Sequence, residues 1–264
     1  MSDDGVKLRL GGMALRNGLL VHGPSSWAVA VRTREGEIKV ASGAKPRLKG
    51  KAVQLPGLRG LARLGEAFAI IPLIKRRLPE VQLPFEDLRV GAAMLASSAL
   101  ATGVRRAGPR TAARESAVAF LSIAPTALAL RDSDLASYHG VEHKAIAAYE
   151  QGTDAADAAK EHDRCGSNLV APMMIATVAG NALARRLFDA GGPLSSAMVT
   201  VAGMAIAVEL FSWSERHRDA PLARAFKVPG NEMQRLFATR EPTDEQLEVG
   251  RAAMAEILRA EIAS

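Results

Sequence analysis

The sequence predicts an α+β protein, in which a small β-rich N-terminal region precedes a mostly helical, membrane-embedded bundle. Three observations predict this class. Residues before 43 alternate as strands do, the pattern from Leu58 onward is helical, and several later helices are long and apolar. An amphipathic helix closes the chain. We therefore divide the 264 residues into a β-rich region (1–57), a helical region (58–225) and a soluble tail helix (226–264).

The N-terminal region has the pattern of short strands separated by glycine turns. Trp27–Arg32 and Glu37–Val40 alternate on either side of Gly36, which is typical of a hairpin. Two shorter strand-like runs precede this hairpin, Met13–Leu15 and Leu19–His22. Residues 43–57 are basic and are interrupted by proline and glycine, which predicts a connector between the sheet and the first helix.

Four apolar segments dominate the helical region: 91–104, 117–130, 169–184 and 193–213. The last segment has 21 residues and one charge, Glu209, so it can cross a hydrocarbon core of roughly 30 Å. Gly203 and Ala207 form a small-xxx-small pair suited to close helix packing in lipid. We predict an integral or tightly associated membrane protein. The alternative is a buried helical hairpin in a soluble protein.

The charge pattern favours lipid over nucleic acid as a partner. The net charge is +6, and basic runs such as Lys45–Lys51 contain no interleaved aromatic residues. We predict membrane lipid as a partner, no nucleic acid, and a location in the cell membrane with cytoplasmic N- and C-terminal regions. The positions of the arginines do not fix the orientation of the segments. The substrate is unknown, and a protein partner or homo-oligomer is left open.

Residues 138–144, with the sequence YHGVEHK, contain the motif H-x-x-E-H on a predicted helix. His139 and His143 are four residues apart, so their imidazoles project from one helix face about one turn apart and can chelate zinc. Glu142 lies one residue off that face, within reach of a water held there. Inverted-zincin metalloproteases use the same order, with the glutamate as the base. The motif predicts Zn²⁺, or another divalent transition metal, beside a general base.

A second group follows at residues 162–166, which contain the only cysteine of the chain. His162 and Cys165 are separated by two residues at a predicted turn, where both can face one ion, and a thiolate suits zinc. One alternative is a buried structural thiol beside an ordinary histidine. Another is a catalytic Cys–His pair, in which a helix N-terminus lowers the pKa of the thiol.

Glu209 is the fifth candidate ligand. An ionisable group inside an apolar segment is costly and usually has a partner, which a metal ion could provide. The alternative is that Glu209 lies at the membrane boundary and faces water.

Three blocks of the chain resemble the YqhQ-like family, domain-of-unknown-function family 1385. These blocks are Tyr138–Lys144, His162–Gly166 and Thr239–Asp244. The earlier blocks of the family are matched by Gly11–Ala14, Gly23-Pro24, Trp27–Arg32 and Leu55–Gly60. Members of the family are bacterial proteins labelled metal-dependent enzymes and predicted to lie in membranes. The resemblance therefore implies a metal and a membrane setting, and it implies no reaction.

These features together predict a zinc-dependent membrane enzyme of hydrolase type, with Glu142 as its general base. The number of ligands matters here, because a site that uses both His162 and Cys165 is closed, as structural zinc sites are. Two other functions stay open. One is a membrane scaffold or assembly factor with a structural zinc ion, and the other is a soluble helical protein without metal.

Overall fold

The computed structural model describes residues 7–48, 50, 58–108, 111–188 and 193–264. Its N-terminal part is a four-stranded antiparallel sheet in which each strand pairs with the next along the chain. The strands are β1 (Gly11–Leu15), β2 (Gly18–His22), β3 (Ser26–Arg32) and β4 (Ile38–Ala44). Gly36 turns the chain between β3 and β4 with φ +90°, which confirms the predicted hairpin. Most of the second half of the predicted connector, including Leu55 and Pro56, lies outside the described residues.

The remainder of the described chain is mostly helical, as predicted. The helices are α1 (Leu58–Phe68), α2 (Ile71–Arg77), α3 (Leu88–Arg106), α4 (Ala112–Ala129), α5 (Ser133–Gln151), α6 (Val170–Phe188), α7 (Pro193–Arg216), α8 (Pro221–Met233) and α9 (Asp244–Ile262). Short 3-10 turns occupy Pro84–Glu86 and Gly166–Leu169, and a π-helical turn occupies Gln234–Ala238.

Helices pack on both faces of the sheet, so the side chains of β3 are buried on each face. Trp27, Val29 and Val31 point to one face and pack with α2 and the segment after it. Ala28 and Ala30 point to the other face and pack with α5 and α9. The two alternating sets of side chains therefore build two separate cores, one on each side of a single strand.

The C-terminal helix α9 packs on the sheet rather than extending as a separate tail. The capping box of Thr243 and Gln246 begins it, as the sequence predicts. Its apolar side chains Leu247, Ala253 and Ile257 join the core shared by α5 and the sheet. Near its end, Glu261 accepts hydrogen bonds from the backbone amides of Ser25 and Ser26. The first and last predicted regions thus share one core, and their boundaries as domains stay a prediction.

Among the described residues, one helical stretch is long and apolar enough to cross a membrane, Ala197–Arg216 in α7. Only 17% of that window is buried. α4 and α5 pass the same test only as a pair, and they meet at an angle of 93°. The remaining predicted apolar segments form helices that are shorter or less apolar than a span requires. The predicted bundle of membrane helices is therefore reduced to one candidate span.

Candidate metal centre

Helix α5 carries the two histidines of the H-x-x-E-H motif on one face. The carboxylate of Asp132 accepts a hydrogen bond from the amide of Asp134 and caps the start of the helix. Gly152, with φ +76°, ends it in the left-handed conformation. The rings of His139 and His143 lie 4.5 Å apart between centroids. The predicted helix and the placement of its two histidines are confirmed.

Hydrogen bonds to two backbone carbonyls orient both imidazoles. Nδ1 of His139 lies 2.8 Å from the carbonyl oxygen of Ala238, and Nδ1 of His143 lies 2.6 Å from that of Lys160. A carbonyl oxygen can only accept, so both Nδ1 atoms carry the proton and both Nε2 atoms present a lone pair. Metal-binding histidines in proteins are held in this way. Nε2 of His143 is buried and has no hydrogen-bond partner among the described residues.

Cys165 brings the third donor atom to this face from the loop after α5. Its Sγ lies 3.3 Å from Nε2 of His139, and the donor atoms of His139, His143 and Cys165 all lie within 4.8 Å of one another. Zn–S and Zn–N bonds of about 2.3 and 2.0 Å at a tetrahedral angle separate sulfur from nitrogen by roughly 3.5 Å. The three side chains therefore fit a zinc ion with small adjustments.

His162 lies next to this cluster, but its two nitrogens are engaged elsewhere. Its ring centroid is 5.8 Å from that of His143. Nδ1 accepts a hydrogen bond from the amide of Arg164, and Nε2 faces the carboxylate of Glu150 at 3.4 Å. Burial lowers the pKa of His162. The structure does not include His162 among the converging donors, so the group has three members and a position open for a further ligand.

Glu209 also stays outside the donor group. Its carboxylate pairs with two of the three guanidinium nitrogens of Arg59, with Nε at 3.1 Å and Nη2 at 2.6 Å. The charge in α7 is therefore compensated by α1 rather than by the histidines. Glu209 therefore has a partner, as expected for an ionisable group in an apolar segment, and this partner is Arg59.

Glu142 lies where two cavities meet. A large cavity of about 1020 Å³ is lined by α3 and α4 and reaches His139, Glu142 and Cys165. A small cavity of about 150 Å³ lies on the other side, and Glu142 and Cys165 line it too. Burial raises the pKa of Glu142, while the nearby His139 and a hydrogen bond from the amide of Ala14 act in the opposite direction. The carboxyl group thus adjoins the donor cluster and both cavities.

Gly12 of β1 makes room for Glu142. A Cβ atom added at Gly12 would lie 2.7 Å from Cγ and 2.9 Å from Oε1 of that side chain. We expect Gly12→Ala to displace the Glu142 side chain while the fold is retained, because the added Cβ and this carboxyl group cannot occupy the same space. A crystal structure of the variant together with circular dichroism measures this effect. Gly91→Ala is the control, since its added Cβ meets one atom, at 4.0 Å, and an unmoved Glu142 side chain in Gly12→Ala contradicts the expectation.

The sequence motifs did not reveal the residues that hold the loop at His162 and the imidazole of His139 in place. The side chain of Gln234, which is fully buried, accepts from the amide of His162 at 2.7 Å and donates to its carbonyl oxygen at 3.2 Å. The same π-helical turn carries the carbonyl of Ala238 that orients His139. Such π-helical turns are frequent at functional sites, but no local sequence pattern predicts them.

Comparison with known proteins places these features in a family. Residues 131–260 match the sequence model of a protein family of unknown function, DUF1385. The chain is also 32% identical over 138 residues to "Uncharacterized protein YqhQ" of Bacillus subtilis (strain 168). Residues 131–260 of this chain form a YqhQ-like DUF1385 region. The resemblance seen in the motifs is thereby confirmed.

The DUF1385 region contains the whole donor cluster, Glu142 and the π-helical turn, whereas the N-terminal blocks precede residue 131. The aligned stretch covers 48% of this chain and 41% of the length of the Bacillus protein. No solved structure matches the chain.

Proposed function

We propose that this DUF1385 protein is a zinc-dependent hydrolase of the membrane. The observation that carries the proposal is the pair of histidines whose Nδ1 atoms donate to backbone carbonyls, which leaves both Nε2 atoms available for a metal ion beside Cys165, whose Sγ lies 3.3 Å from Nε2 of His139. A buried, unpaired imidazole nitrogen is costly, and a metal ion is the partner that removes this cost. A thiolate and two imidazoles suit zinc among the common divalent metals.

The three donors leave one position of a tetrahedral site open, which is the pattern of catalytic zinc sites. Zinc bound there supplies Lewis acidity, which activates water or polarises a carbonyl group. Glu142 adjoins the cluster and is the general base of the proposal: it takes a proton from the attacking water and passes it to the leaving group. The hydrogen bond from the amide of Ala14 and the close contact with Gly12 position its carboxyl group.

Apolar surface on the helices supports a membrane location. The candidate span in α7 is mostly unburied, and large apolar side chains of neighbouring helices are exposed as well. They include Leu95 of α3, Phe120 of α4 and Ile175 of α6. Exposed apolar surface on this scale marks an interaction with lipid or protein. The proposal places it in lipid, with the N-terminal sheet and α9 in the cytoplasm.

Metal analysis tests the zinc site. The full-length protein, purified in detergent from zinc-supplemented cells, is expected to hold about one zinc ion per chain. Cys165→Ala should hold less than about a tenth of that amount, while His162→Ala should keep most of it. X-ray absorption should show one sulfur and two imidazole neighbours. Chelation should abolish ester hydrolysis, and added Zn²⁺ should restore it.

The matched control is His217→Ala, which removes a histidine that stacks on Trp213 in another part of the structure. It is expected to keep the full metal content. A wild-type protein that is folded and free of metal rejects the proposal. Loss of zinc from His162→Ala that equals the loss from Cys165→Ala indicates a closed, four-ligand site instead.

A further inference from the structure

We propose that the substrate is a membrane lipid, one acyl chain of which occupies the large cavity between α3 and α4 while its ester or amide linkage reaches Glu142. This inference rests on the proposed function and names its substrate class. The observation behind it is that one continuous cavity joins the groove between the two apolar helices to His139, Glu142 and Cys165.

The length of the cavity suits one acyl chain. Along α3 it is lined by residues from Val90 to Arg105, which are 15 positions apart, and a helix rises about 1.5 Å per residue, which gives roughly 22 Å. One leaflet of a bilayer core is roughly 15 Å deep, half of its thickness. The cavity is therefore long enough for the chain of a lipid that stands in one leaflet.

The groove walls are mostly apolar, and three of the hydroxyl groups that line them are hydrogen-bonded to backbone oxygens. Ser97 donates its hydroxyl to the carbonyl of Leu121, Ser122 to that of Val118, and Thr102 to that of Ser98. These hydroxyls are satisfied by backbone oxygens, so their methylene and methyl groups remain to contact a ligand. Apolar residues such as Val90, Ala101 and Ala129 complete the lining.

The far end of the cavity carries an ion pair. Arg105 lies 3.5 Å from the carboxylate of Glu115, which is buried and also accepts a hydrogen bond from Asn181. Nε of Arg105 and Oε1 of Glu115 are buried and have no hydrogen-bond partner among the described residues. The carboxylate offsets the charge of Arg105, which favours a position of the polar part of the lipid at the donor cluster.

The small cavity provides the polar side of the same site. His22, His162 and Arg164 line it, and it meets the large cavity at Gly12, Glu142, Cys165 and Gly166. Its volume of about 150 Å³ corresponds to roughly five water molecules at about 30 Å³ each. In the proposed reaction the water oxygen bonds to the acyl carbon and the bond from this carbon to the leaving oxygen or nitrogen breaks. Glu142 carries the water proton to that leaving atom.

The size of the large cavity is that of a small-molecule site. Its volume of about 1020 Å³ lies at the upper end of the range of such sites. One acyl chain of a lipid belongs to this class of ligand.

Photolabelling of the full-length protein in phospholipid nanodiscs tests the inference. The probe is palmitic acid with a diazirine in mid-chain and a terminal alkyne, and labelled peptides are mapped by mass spectrometry. We expect labelling on the cavity-lining faces of α3 and α4, and a decrease of about tenfold in Ala101→Phe, whose added ring fills the groove. Thr126→Leu fills it from α4 and should act in the same direction.

The matched control is Leu100→Phe, because Leu100 adjoins Ala101 in sequence but is 58% exposed on the outer surface. It should label like the wild type. Absence of labelling, uniform labelling of outer surfaces, or undiminished labelling in both filling variants overturns the lipid inference. Preferential capture of a diazirine-bearing peptide also overturns it. Zinc content measured on the same samples reports on the proposed function separately.

Discussion

Glu142→Gln is expected to lower hydrolytic turnover by about 10²–10⁴-fold while the protein stays folded and keeps its zinc. The amide has the size of the carboxyl group and can still accept the hydrogen bond from the amide of Ala14, so the local structure is retained. What is lost is the group that takes a proton from water. The measurement is steady-state hydrolysis of p-nitrophenyl octanoate, with zinc content and circular dichroism of the same preparation.

Glu232→Gln is the matched control, since Glu232 pairs with Arg235 in an exposed position on α8. Its turnover should equal that of the wild type. The comparison also separates an enzyme from a scaffold with structural zinc. The function of a scaffold depends on His143 and does not change in Glu142→Gln. If the Glu142→Gln variant binds zinc and retains full turnover or full biological function, Glu142 is not the general base.

Gly140→Ala is expected to destabilise the protein by about 1–3 kcal/mol and to weaken zinc binding by about 10–100-fold. Helix propensity alone predicts the opposite sign, because alanine stabilises a helix interior relative to glycine by roughly 1 kcal/mol. The added Cβ, however, would lie 2.2 Å from the carbonyl oxygen of Arg240, so the segment after the π-helical turn must move. That movement draws the carbonyl of Ala238 away from His139. Thermal unfolding and competitive zinc titration measure the two effects.

Gly65→Ala provides the control for this substitution. Gly65 also lies within a helix, α1, but a Cβ added there meets no described atom within 4 Å. We expect a slight stabilisation of up to about 1 kcal/mol and unchanged zinc affinity. If Gly140→Ala behaves like Gly65→Ala, the close approach of α5 and the segment at Arg240 does not support the site.

The elements that sequence analysis predicted well are those set by short-range interactions. The alternation around Gly36 predicts the β3–β4 hairpin, because side chains of a strand point to alternate faces. The four-residue spacing of His139 and His143 predicts that both lie on one helix face, because the helical period acts within a few residues. Cys165 follows 14 residues after the last residue of α5, so its closeness to this face was predicted from its position in the chain and its chemistry.

Predictions that depend on long-range packing fared less well. The helical region was expected to form a membrane-embedded bundle, but among the described residues one helix, which overlaps the segment 193–213 predicted to span, is long and apolar enough to cross a membrane. Glu209 looked like a ligand because it stands alone in an apolar segment, yet its partner Arg59 lies 150 residues away in sequence. The tail helix α9 could not be assigned to the sheet, since amphipathicity shows that a face is buried and not what covers it.

By itself the sequence determined the strand hairpin, the α5 helix and the presence of two imidazoles and one cysteine close together in the chain. The tertiary structure alone decided that His162 turns to Arg164 and Glu150, that the carbonyls of Ala238 and Lys160 set both tautomers, and that a cavity reaches the cluster. The physical reason is the range of the forces involved. Backbone geometry places neighbouring side chains on one face, whereas hydrogen-bond partners and cavities depend on elements that meet only when the whole chain packs.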